Sequence, residues 1–301
     1  MKQCSICYLG PEGTYSHEAA QRFAHRMMAQ SPSSPAPLLV PKTTIADVFE
    51  SIDSGAYTWG TVPIENSLEG PVTSTLDDFA FTSNAKIYGE EIIGIRHCLI
   101  TQPGVSIDAI DTIVSHPQAL GQCRHFIDST MNGCAVETTT STAAGVQRTL
   151  HDPHCAAIAS AFAAHHYQAS IVQKHIEDHV GNETSFVLIG KPEAQSPFNE
   201  ADDRTSLALF LRNDHPGALL MILAEFAYAG INLTKIQSRP TKKALGDYLF
   251  FVDLAGTIEN ERVKTALDCL RLKLRDVKVL GSYPTFGRMR IQEDAPTTPT
   301  E

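Results

Sequence analysis

The sequence predicts an α/β domain followed by a smaller α+β domain of ferredoxin-like βαββαβ order. Short apolar runs alternate with helical stretches as far as residue 190, residues 191–204 are polar and contain proline, and a second regular alternation follows. The chain has 301 residues, more than one typical domain holds. We therefore expect residues 1–190 to form the first domain, 191–204 a linker and 205–285 the second domain.

The first domain is predicted from apolar runs of strand length, each of which leads into a helical stretch. Gly10-Pro11-Glu12-Gly13 has the composition of a turn between the first strand and the first helix. Alternation of strands with helices is typical of layered α/β folds with largely parallel sheets. We expect strands at 4–9, 59–62, 87–100, 112–114, 135–137, 156–158 and 186–189, and helices at 16–28, 44–54, 75–81, 117–126 and 142–150.

The second domain is predicted from the spacing of its apolar residues. Leu219, Ile222, Leu223 and Phe226 recur every three or four positions, as on one face of a helix at 217–229. Residues 286–301 are rich in Pro, Thr and acidic residues, which predicts a disordered tail. Strands at 205–211, 232–237, 248–254 and 277–283, with a second helix at 261–274, complete the ferredoxin-like order.

Charge and composition exclude several classes of protein. Residues 1–201 contain 10 basic and 21 acidic residues and residues 202–301 contain 14 and 13, so neither part offers a basic face for nucleic acid. No apolar stretch approaches the roughly 18 residues of a membrane span, and the N-terminus has no signal-peptide pattern. Of the seven cysteines, Cys4 and Cys7 form one C-x-x-C pair, but no second pair follows at zinc-site spacing, which favours reduced thiols and no metal. We therefore expect a cytoplasmic protein that binds neither nucleic acid nor membrane.

Polar side chains stand where predicted strands end and helices begin. The segments are Glu65-Asn66-Ser67, Ser115-His116-Pro117-Gln118 and the hydroxyl run 138–142. In open α/β sheets ligands bind beyond the carboxyl ends of the strands, and helix N-termini there favour anions. Each segment alone is explained as well by helix capping through Ser67, Ser115 or Thr142, which contributes about 1 kcal/mol. Three such edges in one domain favour an anion-binding cleft.

These segments and several others are similar to the motifs of one enzyme family. Pro63-Ile64-Glu65-Asn66-Ser67, followed by Gly70, Val72 and Thr75-Leu76-Asp77, is the most distinctive pattern. On these residues the chain resembles the prephenate dehydratase family, and the resemblance extends from residue 8 to residue 284. The other matching segments are 10–16, His97-Cys98-Leu99, 115–120, Ser141-Thr142-Ala143, Asn182 with Thr184-Ser185-Phe186, and, in the second domain, Gly217-Ala218-Leu219 and Ser238-Arg239-Pro240.

The resemblance implies a fold, a reaction and two ligands. The first domain would consist of two α/β lobes like those of a periplasmic solute-binding protein, with the active site in the cleft between them. The reaction would convert prephenate into phenylpyruvate with loss of water and carbon dioxide, and no cofactor or metal is expected because aromatisation drives it. The second domain would be an ACT regulatory domain that binds phenylalanine between the subunits of a homodimer or homotetramer.

The resemblance also assigns roles to residues of the cleft. The signature threonine, Thr184, would donate a hydrogen bond to the leaving hydroxyl oxygen, since a free hydroxyl is a weak acid. His116 is a candidate donor, although eleven of the twelve histidines lie in the first domain and each is more readily explained as structural. Asn66, Ser67, Ser141 and Thr142 are candidates for the carboxylate and hydroxyl contacts, and the motifs add Ser115, Gln118, Ser185 and Phe186.

In the second domain the resemblance implies an effector site shared by two subunits. Gly217 would let another chain approach the start of the helix closely. Gln237 stands where the family commonly carries glutamate, a change that could alter the affinity for the effector. Helix-start packing and a solvated arginine would explain the same residues without a ligand. The candidate phenylalanine-binding residues are Gly217, Ala218, Leu219, Asn232, Leu233, Ser238, Arg239 and Pro240.

The chain departs from the family pattern at Ser185, where the signature carries arginine. A serine cannot supply the charge with which an arginine binds a carboxylate. Three explanations stay open: the activity is low, the preferred substrate is arogenate, which carries an amino group, or another cation enters the cleft. If position 185 limits the enzyme, Ser185→Arg raises kcat/KM on prephenate. A cytoplasmic sensor that binds a small anion without chemistry also stays open. The candidate cations are Arg96, Arg124, Arg148 and Lys174.

Overall fold

The computed structural model describes residues 3–213, 215–241 and 248–287. Most of the longer helices begin after a side chain that accepts a hydrogen bond from the first turn, as at Thr14, Thr44 and Ser141. In chain order the first domain contains β1 (Ser5–Leu9), α1 (Tyr15–Gln30), β2 (Leu38–Lys42), α2 (Ile45–Asp53), β3 (Trp59–Asn66), β4 (Gly70–Pro71), α3 (Thr73–Asp77) with a π-helical turn at Asp78–Thr82, β5 (Lys86–Gly94), β6 (Cys98–Thr101), a 3-10 turn at Ile107–Ala109, β7 (Thr112–Ser115), α4 (Pro117–Gln122), α5 (Arg124–Thr130), β8 (Ala135–Thr138), α6 (Thr142–Thr149), β9 (Cys155–Ala159), α7 (Ala161–His166), β10 (Ser170–Lys174) and β11 (Glu183–Gly190). The second domain contains β12 (Arg204–Phe210), α8 (Ala218–Tyr228), β13 (Leu233–Pro240), β14 (Tyr248–Ala255), α9 (Glu261–Lys273) and β15 (Asp276–Tyr283), after which β16 (Thr285–Phe286) returns to the first domain.

The first lobe is a sheet of order β16-β5-β11-β3-β1-β2, with β4 paired to β3. Successive side chains of a strand point to opposite faces, so Tyr8 packs beneath α1 with Phe23 whereas Cys7 packs beneath α2 with Phe49. Helices therefore cover both faces of this sheet. That arrangement leaves the ends of its strands as the place where a ligand can approach.

The second lobe is a smaller sheet of order β10-β6-β9-β7-β8. The chain passes from the first lobe to the second at 95–97 and returns at 175–182. The two crossings are joined by backbone hydrogen bonds from Ile95 N to Asn182 O at 2.7 Å and from Ile176 N to His97 O at 3.2 Å. The expected two-lobed α/β architecture is therefore confirmed, with a cleft beside the paired crossings.

Both sheets are mixed, so the expectation of largely parallel sheets is only partly correct. β1 is parallel to β2 and β3, and β7 is parallel to β8 and β9. The strands that lead into and out of the crossings are antiparallel to neighbours in both lobes. They run against their neighbours because the chain must leave and re-enter each sheet at the end that faces the other lobe.

Several elements of the first domain, among them β2, α7 and β10, were not predicted, and one predicted helix is divided. β2 contains Pro41 and lies at the sheet edge, where proline is tolerated. α7 and β10 are short, and residues 172–174 of β10 are exposed, so neither has a clear apolar period. The helix expected at 117–126 is interrupted at Cys123, whose φ of −122° leaves the helical range.

The second domain has the predicted ferredoxin-like order. Its antiparallel sheet runs β13-β14-β12-β15, and α8 and α9 pack on one face through residues such as Phe226 and Leu270. The other face packs on the first domain, where Phe210 and Phe251 share a buried cluster with Phe79. The second domain is therefore fixed to the first lobe by its own sheet.

The linker and the expected tail both contribute ordered contacts. Phe198 of the linker packs on Phe23 and Phe286, with ring centroids 6.1 Å and 5.1 Å apart. Phe286, expected to begin a disordered tail, is instead buried in β16 beside β5, and the Arg26 guanidinium lies 4.1 Å from its ring centroid. The rest of the expected tail, from residue 288, lies outside the described residues. Among the helices described, none is long and apolar enough to cross a bilayer.

Candidate active site

A cavity of about 310 Å³ lies between the two lobes, beside the crossings. Its size suits a small organic ligand. It collects polar groups from β3, from the starts of three helices and from β11. Of the residues predicted from the sequence, Asn66, His116, Gln118, Ser141, Thr142, Thr184 and Phe186 line it, whereas Ser67, Ser115 and Ser185 do not.

Three helices begin at the wall of this cavity. Their N-cap residues, Thr14 of α1, His116 of α4 and Ser141 of α6, all line it. The caps accept hydrogen bonds from first-turn amides, for example from Ala144 N to Ser141 Oγ at 3.0 Å. Since a helix start carries unpaired N–H groups and partial positive charge, the three starts together make the cavity attractive to anions without any formal charge.

Thr184 and Asn66 meet across the β11–β3 pairing, where they are register partners. Asn66 Oδ1 accepts hydrogen bonds from Leu68 N at 3.0 Å and Glu69 N at 2.9 Å, which fixes the orientation of the amide. Its Nδ2 therefore faces Thr184 and donates to the Thr184 Oγ1 at 2.8 Å. With one lone pair of Oγ1 engaged, the hydroxyl hydrogen of Thr184 is left to donate elsewhere.

The same network extends to residues that sequence reasoning did not assign a role. Asn66 Nδ2 also donates to Asn182 Oδ1 at 2.8 Å, and Asn182 Nδ2 donates to Gln122 Oε1 at 3.3 Å. Gln122 Oε1 lies 2.9 Å from His97 Nε2, so the imidazole donates there. Gln122 follows Gln118 by one helical turn, and that i,i+4 spacing is the one signal in the sequence that links it to the site.

The lining of the cavity is electrically neutral. Among the lining residues in the described part of the chain, none is Lys, Arg, Asp or Glu. Burial lowers the pKa of His97, although Gln122 and Glu177 oppose this effect, so the imidazole stays uncharged at neutral pH. Its Nδ1 has no hydrogen-bond partner among the described residues. Any recognition of a carboxylate here must come from dipoles and neutral donors.

The four candidate cations lie outside the cavity. Lys174 is exposed on β10 and does not line it. The three arginines pair with carboxylates elsewhere, so the explanation that one of these cations enters the cleft is not supported. The pairs are Arg96 with Glu177 at 3.2 Å, Arg124 with Asp128 at 2.9 Å and Arg148 with Glu137 at 2.5 Å.

Position 185 faces away from the cavity. Thr184 and Phe186 line the cavity, whereas the Ser185 Oγ donates to Glu90 Oε1 at 2.5 Å on β5. Alternation along the strand places the residue between two cavity residues on the opposite side. The structure therefore contradicts the expectation that a side chain at 185 meets the substrate directly.

Two further predicted residues support the site from behind. Ser115 is fully buried, and its Oγ donates to Ile158 O at 2.5 Å, which ties β7 to β9. Ser67 Oγ accepts from Glu183 N at 3.0 Å and lies 3.4 Å from Asn182 Oδ1. Neither hydroxyl contacts the cavity, so both positions hold the strand ends rather than a ligand.

The candidate effector residues fall into two groups within one chain. Gly217, with φ of +89°, directly precedes α8. Pro240 ends β13 at the same end of the sheet at which β12 ends and leads to α8, because β12 and β13 both pair antiparallel to β14. Leu233 begins β13, so it lies roughly 20 Å from Pro240 at about 3.3 Å per residue. Arg239 points to the first domain and forms a two-bond ion pair with Asp77, with 2.9 Å and 2.8 Å distances.

The chain is similar to known proteins along nearly its whole length. The sequence model of the prephenate dehydratase family matches residues 6–194, and that of the ACT domain matches residues 205–268. The bifunctional chorismate mutase/prephenate dehydratase of Aquifex aeolicus is 40% identical over 283 residues, which cover 94% of this chain and 74% of that protein. The prephenate dehydratase of Methanocaldococcus jannaschii is 37% identical over 284 residues, which cover 94% and 98%.

A solved structure shares the fold as well. The crystal structure of prephenate dehydratase from Arthrobacter aurescens in complex with L-Phe superposes with a TM-score of 0.79 at 34% identity, covering 93% of this chain and 90% of that one. The match includes the two lobes and the second domain, since few residues of either chain are left out. The chain belongs to the prephenate dehydratase family.

Proposed function

We propose that this protein is a prephenate dehydratase, which converts prephenate into phenylpyruvate, carbon dioxide and water. The observation that carries the proposal is the hydrogen bond from Asn66 to Thr184 in a buried, neutral cavity. Together with the family and its relatives, this geometry supports a hydro-lyase. The ring hydroxyl leaves as water, the ring carboxylate leaves as carbon dioxide, and the ring becomes aromatic.

Thr184 assists the departure of the ring hydroxyl. Because Asn66 occupies an acceptor site of its oxygen, the Thr184 hydroxyl donates its hydrogen toward the leaving oxygen. A threonine is too weak an acid to transfer its proton completely, so it acts as a positioned donor while negative charge develops. A preorganised donor of this kind in a site shielded from water contributes about 10²–10³ in rate.

The helix starts bind the carboxylates of the substrate. N-cap and first-turn residues of α1 and α6, including Ser141 and Thr142, line the cavity. These groups are fixed by the helices, so they need no reorganisation when the dianion binds. The amides of Gln118 and Gln122 are further donors from α4.

Prephenate is favoured over arogenate by the same neutral lining. Arogenate carries an ammonium group in place of the keto group, and a buried ammonium requires a carboxylate or several acceptors. Among the described residues of the lining there is no Asp or Glu to serve as that partner. The keto oxygen of prephenate needs only donors, which the cavity offers.

The second domain senses phenylalanine at a site shared by two copies of the chain. The relative from Arthrobacter aurescens was crystallised with L-Phe. Within one chain the Gly217 group and the Asn232-Leu233 group lie at opposite ends of β13, so a partner must bring them together. Exposed apolar residues of α8, such as Leu220 at 69% exposure, support a homodimer or homotetramer. The cysteines of the described chain are free, which supports a cytoplasmic location.

The proposal is tested by incubating the protein with prephenate and following the absorbance of phenylpyruvate, with arogenate assayed in parallel. We expect turnover of prephenate and at least tenfold lower kcat/KM on arogenate. Calorimetric binding of prephenate without product formation would instead identify a binding protein. Preferential turnover of arogenate would overturn the substrate assignment and retain the reaction class.

A further inference from the structure

Behind the signature strand, one buried carboxylate collects contacts from both domains. Glu90, only 4% exposed, accepts from Ser185 Oγ at 2.5 Å and from Arg204 Nη1 at 2.6 Å. Thr285 Oγ1 adds a third contact at 3.3 Å. The Arg204 side chain is itself 12% exposed, so the ion pair is formed largely out of solvent. Such a pair holds its geometry more strictly than a surface pair.

The three partners of Glu90 come from separate parts of the fold. Ser185 lies on β11 directly after Thr184, and Arg204 is the first residue of β12 after the linker. Thr285 lies on β16, where it is the register partner of Glu90. Glu90 therefore joins the active-site strand to the point where the chain enters the second domain and to the point where it leaves that domain.

The junction places a positive charge close to Ser185, where the family signature has arginine. Burial raises the pKa of Glu90, and the charge of Arg204 and the hydroxyl of Ser185 oppose that rise. A side chain at 185 points to this carboxylate, so an arginine there would supply the same positive charge from within the strand. In this chain the guanidinium comes from the second domain instead.

We propose that Arg204 takes the place of the signature arginine: by pairing with Glu90 it holds β11 against β5 and so positions Thr184. This inference rests on the proposed dehydratase function for its kinetic readout. Arg204 is a positioning residue, since it is not among the residues that line the cavity. Because it belongs to β12, a displacement of the second domain acts on the strand that carries Thr184.

The proposal is tested by a swap of the two positions. Arg204→Ser leaves Glu90 buried without its cation, and we expect kcat on prephenate to fall by about ten- to a hundredfold with KM changed less than about threefold. Ser185→Arg alone places two guanidinium groups on one carboxylate and lowers kcat by several-fold. The double variant S185R/R204S restores one cation per carboxylate, so its kcat returns to within about threefold of the wild type.

Two kinetic outcomes would overturn the proposal. One is a double variant no better than Arg204→Ser, and the other is an Arg204→Ser variant with unchanged kcat. Arg212→Ser is the matched control, because Arg212 also lies in the second domain but bonds the carbonyls of Leu272 and Leu274. Its kcat without phenylalanine should match the wild type.

A second readout keeps the test independent of activity and of folding yield. Combining Glu90→Gln with Arg204→Ser removes both charges. If Arg204→Ser folds poorly because it leaves a buried carboxylate unpaired, this combined variant should fold. The rate of hydrogen exchange at the backbone amides of residues 183–190 should rise in Arg204→Ser and return to the wild-type value in S185R/R204S. If the wild type does not turn over prephenate, the proposed function fails. If the rate of hydrogen exchange stays raised in S185R/R204S, the proposed role of Arg204 is refuted.

Discussion

Two neighbouring residues of β11 face two different regions, the cavity between the lobes and the seam between the two domains, and these regions differ in the charge of their side chains. Thr184 faces a cavity whose described lining has no formally charged side chain. Ser185 faces the seam, which we define as the ion pairs Glu90–Arg204, Glu65–Lys235 and Asp77–Arg239, each with its acid in the first domain and its cation in the second. The chain thus uses formal charge to orient its second domain and dipoles to meet its anionic substrate.

The difference follows from what each region has to do. The cavity must admit a charged substrate and release a less charged product, and fixed amides do this without trapping the product as a cation would. The seam must give the second domain one orientation, and a two-bond arginine–carboxylate pair such as Arg239–Asp77 has directional geometry. Partly exposed pairs contribute little stability individually, roughly 0–1 kcal/mol, so their main effect is orientation.

The largest effect is expected from removing the hydroxyl on the cavity side of β11. Thr184→Val keeps the shape of the side chain and removes the donor, so we expect kcat on prephenate to fall by about 10²–10³. Thr184→Ser keeps the hydroxyl and should retain activity to within about tenfold. Steady-state assays of phenylpyruvate formation measure both. Equal activity of the valine and serine variants would show that the hydroxyl is not used.

The effector site gives the next largest effect. Leu219 is 38% exposed at the start of α8, so Leu219→Arg should leave the fold intact while its charge blocks an apolar ligand. We expect calorimetric phenylalanine binding to weaken by at least about a hundredfold. Leu272→Arg is the matched control, because Leu272 is 78% exposed on α9 of the same domain. Equal binding by the two variants would place the effector elsewhere, and no heat with the wild type would remove the site altogether.

A smaller effect is expected from the seam. Asp77→Asn removes the charge that Arg239 meets, although Asp77 is not itself a candidate effector residue. We expect the phenylalanine concentration for half-maximal response to shift by about two- to tenfold, with kcat in its absence nearly unchanged. If only Arg239→Met alters the response, Arg239 acts at the effector site and not through the seam.

The smallest effect concerns His97, whose pKa burial lowers below the usual 6.5. Below that pH the unfolded chain takes up a proton that the folded site resists. The free energy of unfolding therefore falls as pH drops through 6.5, by at most about 1.4 kcal/mol per pH unit from this group. His97→Gln should flatten the plot of Tm against pH between about 6.5 and 5, whereas His25→Gln, on the exposed side of α1, should not. An unchanged slope in His97→Gln would assign the acid sensitivity to other groups.

Much of the fold was predictable because its signals are local. The helix expected at 261–274 is observed at Glu261–Lys273, since its apolar period lies within the segment and its Asn260 cap directly precedes it. β16 was missed because its two residues lie in the expected tail, show no local strand pattern, and form a strand only by pairing with β5. The expectation of largely parallel sheets was only partly correct for the same reason, as strand direction depends on where the chain crosses between the lobes.

The site was predictable only in part. Asn66 and Thr184 were found through their motifs, but their hydrogen bond depends on the register of β3 with β11. Gln122 enters through the packing of α4 against the crossings, and its i,i+4 spacing from Gln118 is the one local signal of that placement. The outward orientation of Ser185 was available from the sequence, because alternation along a strand places it opposite Thr184 and Phe186. Its partner Arg204, beyond the linker, was not.

The neutral cavity is tested most directly by the salt dependence of kcat/KM on prephenate, measured from about 0.05 to about 0.5 M sodium chloride, a range over which exposed charges become screened. Residues 1–201 carry a net charge of −11, which repels a dianion at low salt. We predict that kcat/KM stays constant or rises as salt screens this repulsion. A tenfold or greater fall would reveal cations that attract the substrate and would contradict recognition by dipoles.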